Sequence, residues 1–138
     1  HGHFDHTGGA PELKRITKAP VLIHPMDAGG LEIPPDGQLY DGQEIHVGNY
    51  TLSVFHTPGH SPGGVCFFSP GTVFTGDTLF AGSVGRSDFP GGDHNRLVSG
   101  ISKRILPLGD EVRVYPGHGP ATTVGVERTT NPFLRLTR

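Results

Sequence analysis

The first six residues, HGHFDH, combine three histidines with one carboxylate. Imidazole nitrogens and carboxylate oxygens are ordinary ligands of zinc, and they also suit iron and manganese. The spacing lets His1 and His3 face one ion from an extended segment, while Asp5 and His6 can face a second ion after a turn. Random placement of the nine histidines of the chain would rarely put three of them here. The segment therefore indicates a metal site.

Three further candidate ligands lie where predicted strands give way to glycine-rich turns. His60 lies within TPGHSPGG, Asp77 within TGDTLF, and His118 within YPGHGP. Each ion faced by the first segment still needs another ligand, which His60 and His118 can provide, and the two oxygens of Asp77 can bridge both ions. Seven ligands suit two ions about 3.5–4 Å apart that share a water. Because strand ends can meet at one rim, these distant residues are expected to converge.

Short strands, turns and two helices are predicted to position these residues. Strands are predicted at 21–24, 65–68, 72–75 and 112–115 and in a hairpin between 43 and 56, and residues 27–42 are predicted to form a loop. Helices are predicted at 10–18 and 93–106.

The longer predicted helix has the clearest signals. Asp93 is its expected N-cap, and an apolar stripe runs along one face at Leu97, Val98, Ile101 and Ile105. Strands mixed with surface helices indicate an α/β layered domain over residues 1–138.

The composition excludes several classes of partner. The 22 glycines and 13 prolines indicate many turns, but 36 Leu, Ile, Val and Phe residues and a net charge of −2 are typical of a folded chain. With 11 Lys and Arg against 13 Asp and Glu, the sequence lacks the excess of basic residues that is typical of nucleic-acid-binding proteins. No apolar run is long enough for a membrane helix. The one cysteine, Cys66, is expected to be a buried small hydrophobe in a chain of a reducing, cytoplasmic compartment.

Four motifs resemble, in order, the metal-binding motifs of the metallo-β-lactamase superfamily: HGHFDH, TPGHSPG, TGDTLF and YPGHGP. Three further stretches resemble the short glyoxalase-II-like hydrolases of bacteria and archaea: GSVGRSDFPGGDH, LPLGDEV and ERTTNPF. The resemblance covers nearly all of the chain. It implies a four-layer αβ/βα sandwich with the site at one edge, between two sheets.

The resemblance also implies roles for individual residues. By position it assigns the first metal ion to His1, His3 and His60, the second to Asp5, His6 and His118, and a bridge to Asp77. Two divalent ions are therefore expected, with zinc as the first choice and iron or manganese as alternatives. Arg86 matches a position where relatives keep a basic residue for a substrate carboxylate, and the competing interpretation is a surface salt bridge with Asp88.

The expected reaction is hydrolysis of a small-molecule thioester such as S-lactoylglutathione. A water shared by two ions has its pKa drawn towards about 7, so that hydroxide is available at neutral pH. Asp5 and Asp77 are the expected catalytic residues, which orient that hydroxide. A thioester suits the site because a departing thiolate, with a thiol pKa of about 8.5, needs little acid catalysis.

Three alternatives stay open at this stage. Persulfide dioxygenases share the ligand pattern but use a single iron, so the ligands alone do not separate the two classes. A β-lactamase is less favoured, because zinc β-lactamases often have cysteine at the place of Asp77. The third alternative is an incomplete, inactive chain. Members of the family have several strands before the HxHxDH motif, whereas here nothing precedes His1, so the domain is expected to be incomplete at its N-terminus and to expose an apolar sheet face.

The other histidines and the glycine-rich stretch at 82–92 have simpler interpretations. His46 and His94 are expected in solvent, and His24 is expected to make a local hydrogen bond. His56 can lie behind the metal ligands and orient them. The stretch at 82–92 lacks the spacing of a phosphate-binding loop and is expected to shape the pocket.

Overall fold

Ten short strands and four α-helices follow one another within residues 1–135, the part of the chain that this computed structural model describes. The strands are β1 Leu22–Ile23, β2 Gly37–Gln38, β3 Glu44–Val47, β4 Tyr50–His56, β5 Val65–Ser69, β6 Thr72–Gly76, β7 Leu79–Phe80, β8 Ser83–Val84, β9 Arg113–Pro116 and β10 Thr122–Thr123. The helices are α1 Phe4–Thr7, α2 Ala10–Thr17, α3 His94–Gly100 and α4 Val124–Thr130. The predicted domain ran to Arg138, and its last three residues lie outside the described part.

Six strands form one sheet in the order β10-β9-β6-β5-β4-β3. Its strand pairs are antiparallel except β6 and β9, which run parallel. The parallel pair matters for the site, because both strands end at the same edge. The N–H of Gly117 donates to the carbonyl oxygen of Gly76 at 2.7 Å and joins the two strand ends. Asp77 and His118, each one residue further on, are thereby brought side by side.

The main core lies on one face of this sheet. Cys66, Val73 and Val114 come from three neighbouring strands and point to the same side, as the pleat requires. They pack against the helical segment that carries the predicted apolar stripe, and all four stripe residues are buried. The prediction that Cys66 is a buried hydrophobe is confirmed, since its side chain is fully inaccessible.

The opposite face of the sheet is only partly covered. Leu22 of β1 and Leu39, which directly follows β2, pack with Val54 and Val65 into a smaller cluster. Beyond that cluster, the rings of Phe74 and Tyr115 stack at a centroid distance of 5.7 Å. Phe74 is 44% exposed and Tyr115 is 37% exposed. These two aromatic side chains form a partly exposed apolar patch on this face, and the expectation of a domain that is incomplete at its N-terminus stays a prediction.

The longer helix differs from the prediction of one uniform helix over 93–106. Its N-cap is Asp93, as predicted, whose side chain accepts a hydrogen bond from the N–H of Arg96 at 3.0 Å. After α3 the chain widens into a π-helical segment, Ile101–Ile105, and then tightens into a 3₁₀ turn, Leu106–Leu108. The change follows from Pro107, which has no N–H to continue the helical hydrogen bonds.

Two segments correct the sequence-based assignment. The stretch predicted as a loop at 27–42 begins inside a 3₁₀ turn, Pro25–Gly30, and contains β2, which pairs in parallel with the shortened strand β1. Helix α2 lies close to its predicted place, but the apolar side chains on its face, Leu13 and Ile16, are both exposed. Helix α4 was not predicted.

Among the described residues, no helix has both the length and the apolar character that crossing a membrane requires.

Candidate metal centre

The HGHFDH segment changes from extended chain to helix within six residues. His3 is the N-cap of α1 and has extended backbone angles, with φ −70° and ψ 149°. His1 and His3 therefore leave an extended segment on one side, as the i, i+2 spacing predicts. Asp5 and His6 follow on the first turn of α1 and face a different direction. One short segment thus supplies ligand-type side chains to two neighbouring positions.

His1, His3 and His60 form the first cluster of ligand atoms. One ring nitrogen from each lies within 4.8 Å of the others. The Nδ1 of His3 is 3.0 Å from the Nε2 of His60. The three rings meet edge to face, with centroids 4.7 Å apart. This arrangement directs three nitrogens at one point.

Asp5, His6, Asp77 and His118 form the second cluster, again with their ligand atoms within 4.8 Å of one another. The Nε2 atoms of His6 and His118 are 3.3 Å apart. The Oδ2 of Asp5 lies 3.0 Å from the Nε2 of His118, and the Oδ1 of Asp77 lies 3.1 Å from the Nε2 of His6. The cluster therefore combines two carboxylates with two imidazoles.

Asp77 lies between the two clusters. Its Oδ2 is 3.4 Å from the Nε2 of His60 in the first cluster and 3.3 Å from the Nε2 of His118 in the second. The Nε2 of His1 is 3.7 Å from the same oxygen. The structure thus brings together all seven residues that the sequence singled out, with the Asp77 carboxylate in contact with both groups.

Two atoms of this centre lack a hydrogen-bond partner. Among the described residues, the Nε2 of His1 and the Oδ1 of Asp77 are buried without one, although His6 lies close to the latter. Buried polar groups are nearly always paired, because an unpaired group costs free energy. Both atoms are lone-pair donors that point into the cluster. The donor set of nitrogen and carboxylate oxygen therefore fits divalent metal ions, zinc and iron among them.

The electrostatics of the cluster favour neutral imidazole at His3 and a charged carboxylate at Asp77. Burial, with the neighbouring His60, lowers the pKa of His3. Burial opposes ionisation of Asp77, but the hydrogen bond with His60 and the charges of His6 and His118 hold its pKa below the usual range. Burial also disfavours the charged form of His60, yet contacts with Asp77 and the Arg86 carbonyl raise its pKa. Neutral imidazole and ionised carboxylate are the forms that bind metals.

The ring of His60 is oriented from behind by the backbone. Its Nδ1 lies 2.7 Å from the carbonyl oxygen of Arg86, and a carbonyl can only accept, so Nδ1 carries the proton. The Nε2 therefore presents its lone pair to the cluster, which is the usual arrangement of a metal-ligating histidine.

A cavity of about 500 Å³ opens beside both clusters. Its walls include Phe4, Phe80 and Phe89, and Arg86 lies at the rim. The guanidinium of Arg86 donates twice to the carboxylate of Asp88, both at 2.9 Å, and also lies 4.2 Å from the centre of the Phe89 ring. Arg86 thus lines the cavity and also forms the surface salt bridge with Asp88, and its contact with a substrate carboxylate stays a prediction.

The remaining histidines lie outside the two clusters. His46 and His94 are exposed, as expected, and the Nδ1 of His24 accepts a hydrogen bond from the N–H of Met26. His56 stacks on His24 at 4.2 Å, and its Nε2 contacts the carbonyl oxygen of Pro62 at 2.9 Å. It reaches the turn that holds His60, and its described ring and hydrogen-bond contacts include none of the seven cluster residues.

Several residues of the site were not predicted from the sequence. The aromatic walls, Phe4, Phe80 and Phe89, could not be separated from core residues, because an isolated Phe is usually buried. Asp27 was also missed, although it contacts both ligand segments, because an aspartate in a stretch rich in Gly and Pro is typical of a turn.

Comparisons with known proteins agree with this geometry. The family model of the metallo-beta-lactamase superfamily matches residues 1–118. The hydroxyacylglutathione hydrolase GloC of Haemophilus influenzae is 36% identical over 97% of this chain and 73% of its own length. The probable metallo-hydrolase YqgX of Bacillus subtilis is 34% identical over 97% of this chain and 72% of its own length.

Solved structures match the fold as well. The BLEG-1 B3 metallo-beta-lactamase superposes with a TM-score of 0.92 at 38% identity, over 97% of this chain and 74% of the other. A di-iron-bound form of TTHA1623 superposes with a TM-score of 0.83 at 45% identity, over 97% of this chain and 74% of the other. ETHE1 from Myxococcus xanthus superposes with a TM-score of 0.85 at 32% identity, over 96% of this chain and 59% of the other. The predicted α/β fold class is thereby confirmed, and the chain belongs to the metallo-β-lactamase superfamily.

Proposed function

We propose that this chain is a metal-dependent hydrolase of thioesters, with a glutathione conjugate such as S-lactoylglutathione as its substrate. The observation that carries the proposal is the position of Asp77, whose carboxylate contacts both clusters at the side of one cavity. The likeness to GloC, whose name states a hydroxyacylglutathione hydrolase, supports this class of substrate.

The two clusters are the proposed holders of two divalent ions, zinc in the first instance. Such ions lower the pKa of water and polarise a carbonyl group. The first ion is assigned to His1, His3 and His60, the second to Asp5, His6 and His118, and Asp77 is shared. The carboxylates of Asp5 and Asp77 lie on the cavity side and accept hydrogen bonds from an attacking water, which orients it towards the substrate.

The cavity walls suit a thioester with a charged end. Phe4, Phe80 and Phe89 offer apolar surface for the acyl and thiol carbons and reduce access of bulk water. Arg86 at the rim is the proposed partner of a substrate carboxylate. When the substrate binds, a salt bridge to that carboxylate replaces the salt bridge between Arg86 and Asp88. The leaving thiolate needs no strong acid in the site, since its conjugate thiol has a pKa of about 8.5.

Metal content and hydrolysis measured on the same sample test the proposal. We expect two equivalents of metal per chain and hydrolysis of S-lactoylglutathione that is lost on chelation and restored by zinc. Hydrolysis that survives complete removal of metal would overturn the mechanism.

A second outcome would reassign the activity. ETHE1, one of the structural relatives, is 32% identical, and the ligand pattern is shared with persulfide dioxygenases. One iron per chain, with oxygen uptake and sulfite formed from glutathione persulfide, would place this chain in that class. Two iron ions with thioester hydrolysis would change only the identity of the metal.

A further inference from the structure

The carboxylate of Asp27 accepts three hydrogen bonds from two segments that lie far apart in the chain. Its Oδ2 accepts from the N–H of Gly2 at 2.8 Å and from the hydroxyl of Ser61 at 2.6 Å. Its Oδ1 accepts from the N–H of Gly63 at 2.7 Å. Asp27 belongs to the 3₁₀ turn Pro25–Gly30, and only 6% of it is exposed.

The donors come from the two segments that carry the first cluster. Gly2 lies between His1 and His3, and Ser61 directly follows His60. A single buried carboxylate thus fixes the backbone of both segments at the point where their imidazoles meet. Asp27 is not a member of either cluster and does not line the cavity of about 500 Å³, so it acts through the backbone that it holds and through its charge, which also acts on His3.

The backbone around Asp27 is packed closely enough to depend on glycine. A Cβ atom at Gly2 would lie 2.5 Å from the carbonyl oxygen of Asp27, and one at Gly63 would lie 2.7 Å from its Oδ1. A Cβ atom at Gly30 would overlap the carbonyl oxygen of Gly2. The turn can therefore approach both segments this closely only because these three positions are glycines.

The chemistry of the three donors requires a carboxylate. Two backbone N–H groups and one hydroxyl point at the same side chain, and an ionised carboxylate accepts from all three. The pKa of Asp27 agrees with this: burial opposes ionisation, but the hydrogen bonds from Ser61, Gly2 and Gly63 lower it. An asparagine has one acceptor oxygen and would place an amide N–H₂ against one of the donors.

We propose that Asp27 is a positioning residue of the first cluster, holding the His1–His3 segment and the His60 turn in register so that one metal ion can be bound by all three imidazoles. The proposal rests on the metal binding in the proposed function, but not on the substrate. It predicts an asymmetric effect, because the second cluster is held by α1 and by the joined ends of β6 and β9.

Metal affinity measured by competition with a chromophoric chelator tests this inference without any assay of activity. We expect Asp27→Ala to weaken binding of the first ion by about 10–100-fold, the range for partners that orient metal ligands. The second ion should bind within about twofold of the wild type. Asp27→Asn and Ser61→Ala should each give a smaller loss, because they remove only part of the acceptor or donor set.

Asp36→Ala is the matched control, since Asp36 also accepts from a backbone N–H, that of Val21 at 2.8 Å, but touches neither ligand segment. It should leave both affinities unchanged. Visible spectra of the cobalt-loaded chains give a second readout, in which Asp27→Asn should change the bands of one ion only. If Asp27→Ala does not fold, Asp27→Asn and Ser61→Ala carry the test.

Two results would overturn the inference. One is wild-type affinity for both ions in all folded Asp27 and Ser61 variants, and the other is an equal loss of affinity for both ions. Its failure is distinguishable from failure of the proposed function. A wild-type chain that binds two ions and hydrolyses no thioester would refute the proposed substrate and leave the role of Asp27 standing. A wild-type chain that binds no ion would refute both.

Discussion

Glu127 on α4 accepts a hydrogen bond from the N–H of Gly82 at 2.8 Å, across 45 residues of chain. Only 1% of Glu127 is exposed. Its other oxygen accepts from the hydroxyl of Thr122 at 2.6 Å, and Asn131 bonds both to Glu127 and to the carbonyl oxygen of Ser83. The last helix thereby anchors the loop that leads to Arg86.

Glu127→Ala should reduce the free energy of unfolding by about 2–4 kcal/mol, because it leaves buried donors without an acceptor. Glu127→Gln should cost less, since it keeps one acceptor oxygen. Urea unfolding followed by circular dichroism measures both changes. Glu44→Ala, an exposed position on β3, should stay within about 0.5 kcal/mol of the wild type and serves as the control. Equal stability of Glu127→Ala and the control would contradict this role.

Asp77→Ala should lose metal and activity together. The substitution removes the carboxylate that contacts both clusters, so we expect affinity to fall by more than about 100-fold, beyond the loss from an orienting partner. Plasma mass spectrometry gives the metal content after dialysis, and thioester hydrolysis gives the activity. Full metal content in a folded Asp77→Ala chain would show that the bridge is unnecessary.

Arg86→Ala should raise KM more than it lowers kcat, because a contact with the charged end of the substrate exists in ground and transition states alike. The expected rise is roughly two- to fivefold, as for an exposed charged contact. Asp88→Asn should lower KM, since it releases the guanidinium from its present partner. Steady-state kinetics with a thioester that lacks the carboxylates give the control, for which neither substitution should matter. A fall in kcat alone would refute a binding role for Arg86.

Cys66 should make the chain less stable in alkali. Burial raises the pKa of its thiol from 9.0 to about 11. The unfolded chain therefore loses this proton first, and the free energy of unfolding falls as the pH rises from the unfolded to the folded pKa. Urea midpoints at about pH 8 and about pH 10 should drop more for the wild type than for Cys66→Ala, in which this titration is absent. Identical drops in both chains would refute the effect.

The residues of the two clusters could be singled out from the sequence because their types, the spacing of the first four and the places of the other three at strand ends are local properties. His60, Asp77 and His118 could be placed at one rim before any contact was known. The contacts that fix the backbone around that rim were not predictable in the same way. Asp27 and Glu127 are single carboxylates that hold Gly2 and Gly82 across 25 and 45 residues of chain, and no local pattern marks them.

Elements of two residues were missed for a related reason. The hairpin of β7 and β8 is too short for an alternating pattern, and it exists because the chain packs around it. Helix α3 was predicted in place and face, but its π-helical end reflects the fit to the sheet and the following Pro107. Tertiary packing decided these details.

The second cluster joins residues that are nearly a whole chain apart, since His6 and His118 are separated by 112 positions. An ion held by both, as proposed, would link two parts of the chain that lie this far apart in the sequence. Because such an ion would bind the folded chain and not the unfolded one, it would stabilise the fold by about 2.7 kcal/mol when its free concentration is 100 times its dissociation constant. Release of this ion would then be coupled to separation of α1 from the end of β9, so that a chelator should shorten the lifetime of the native chain.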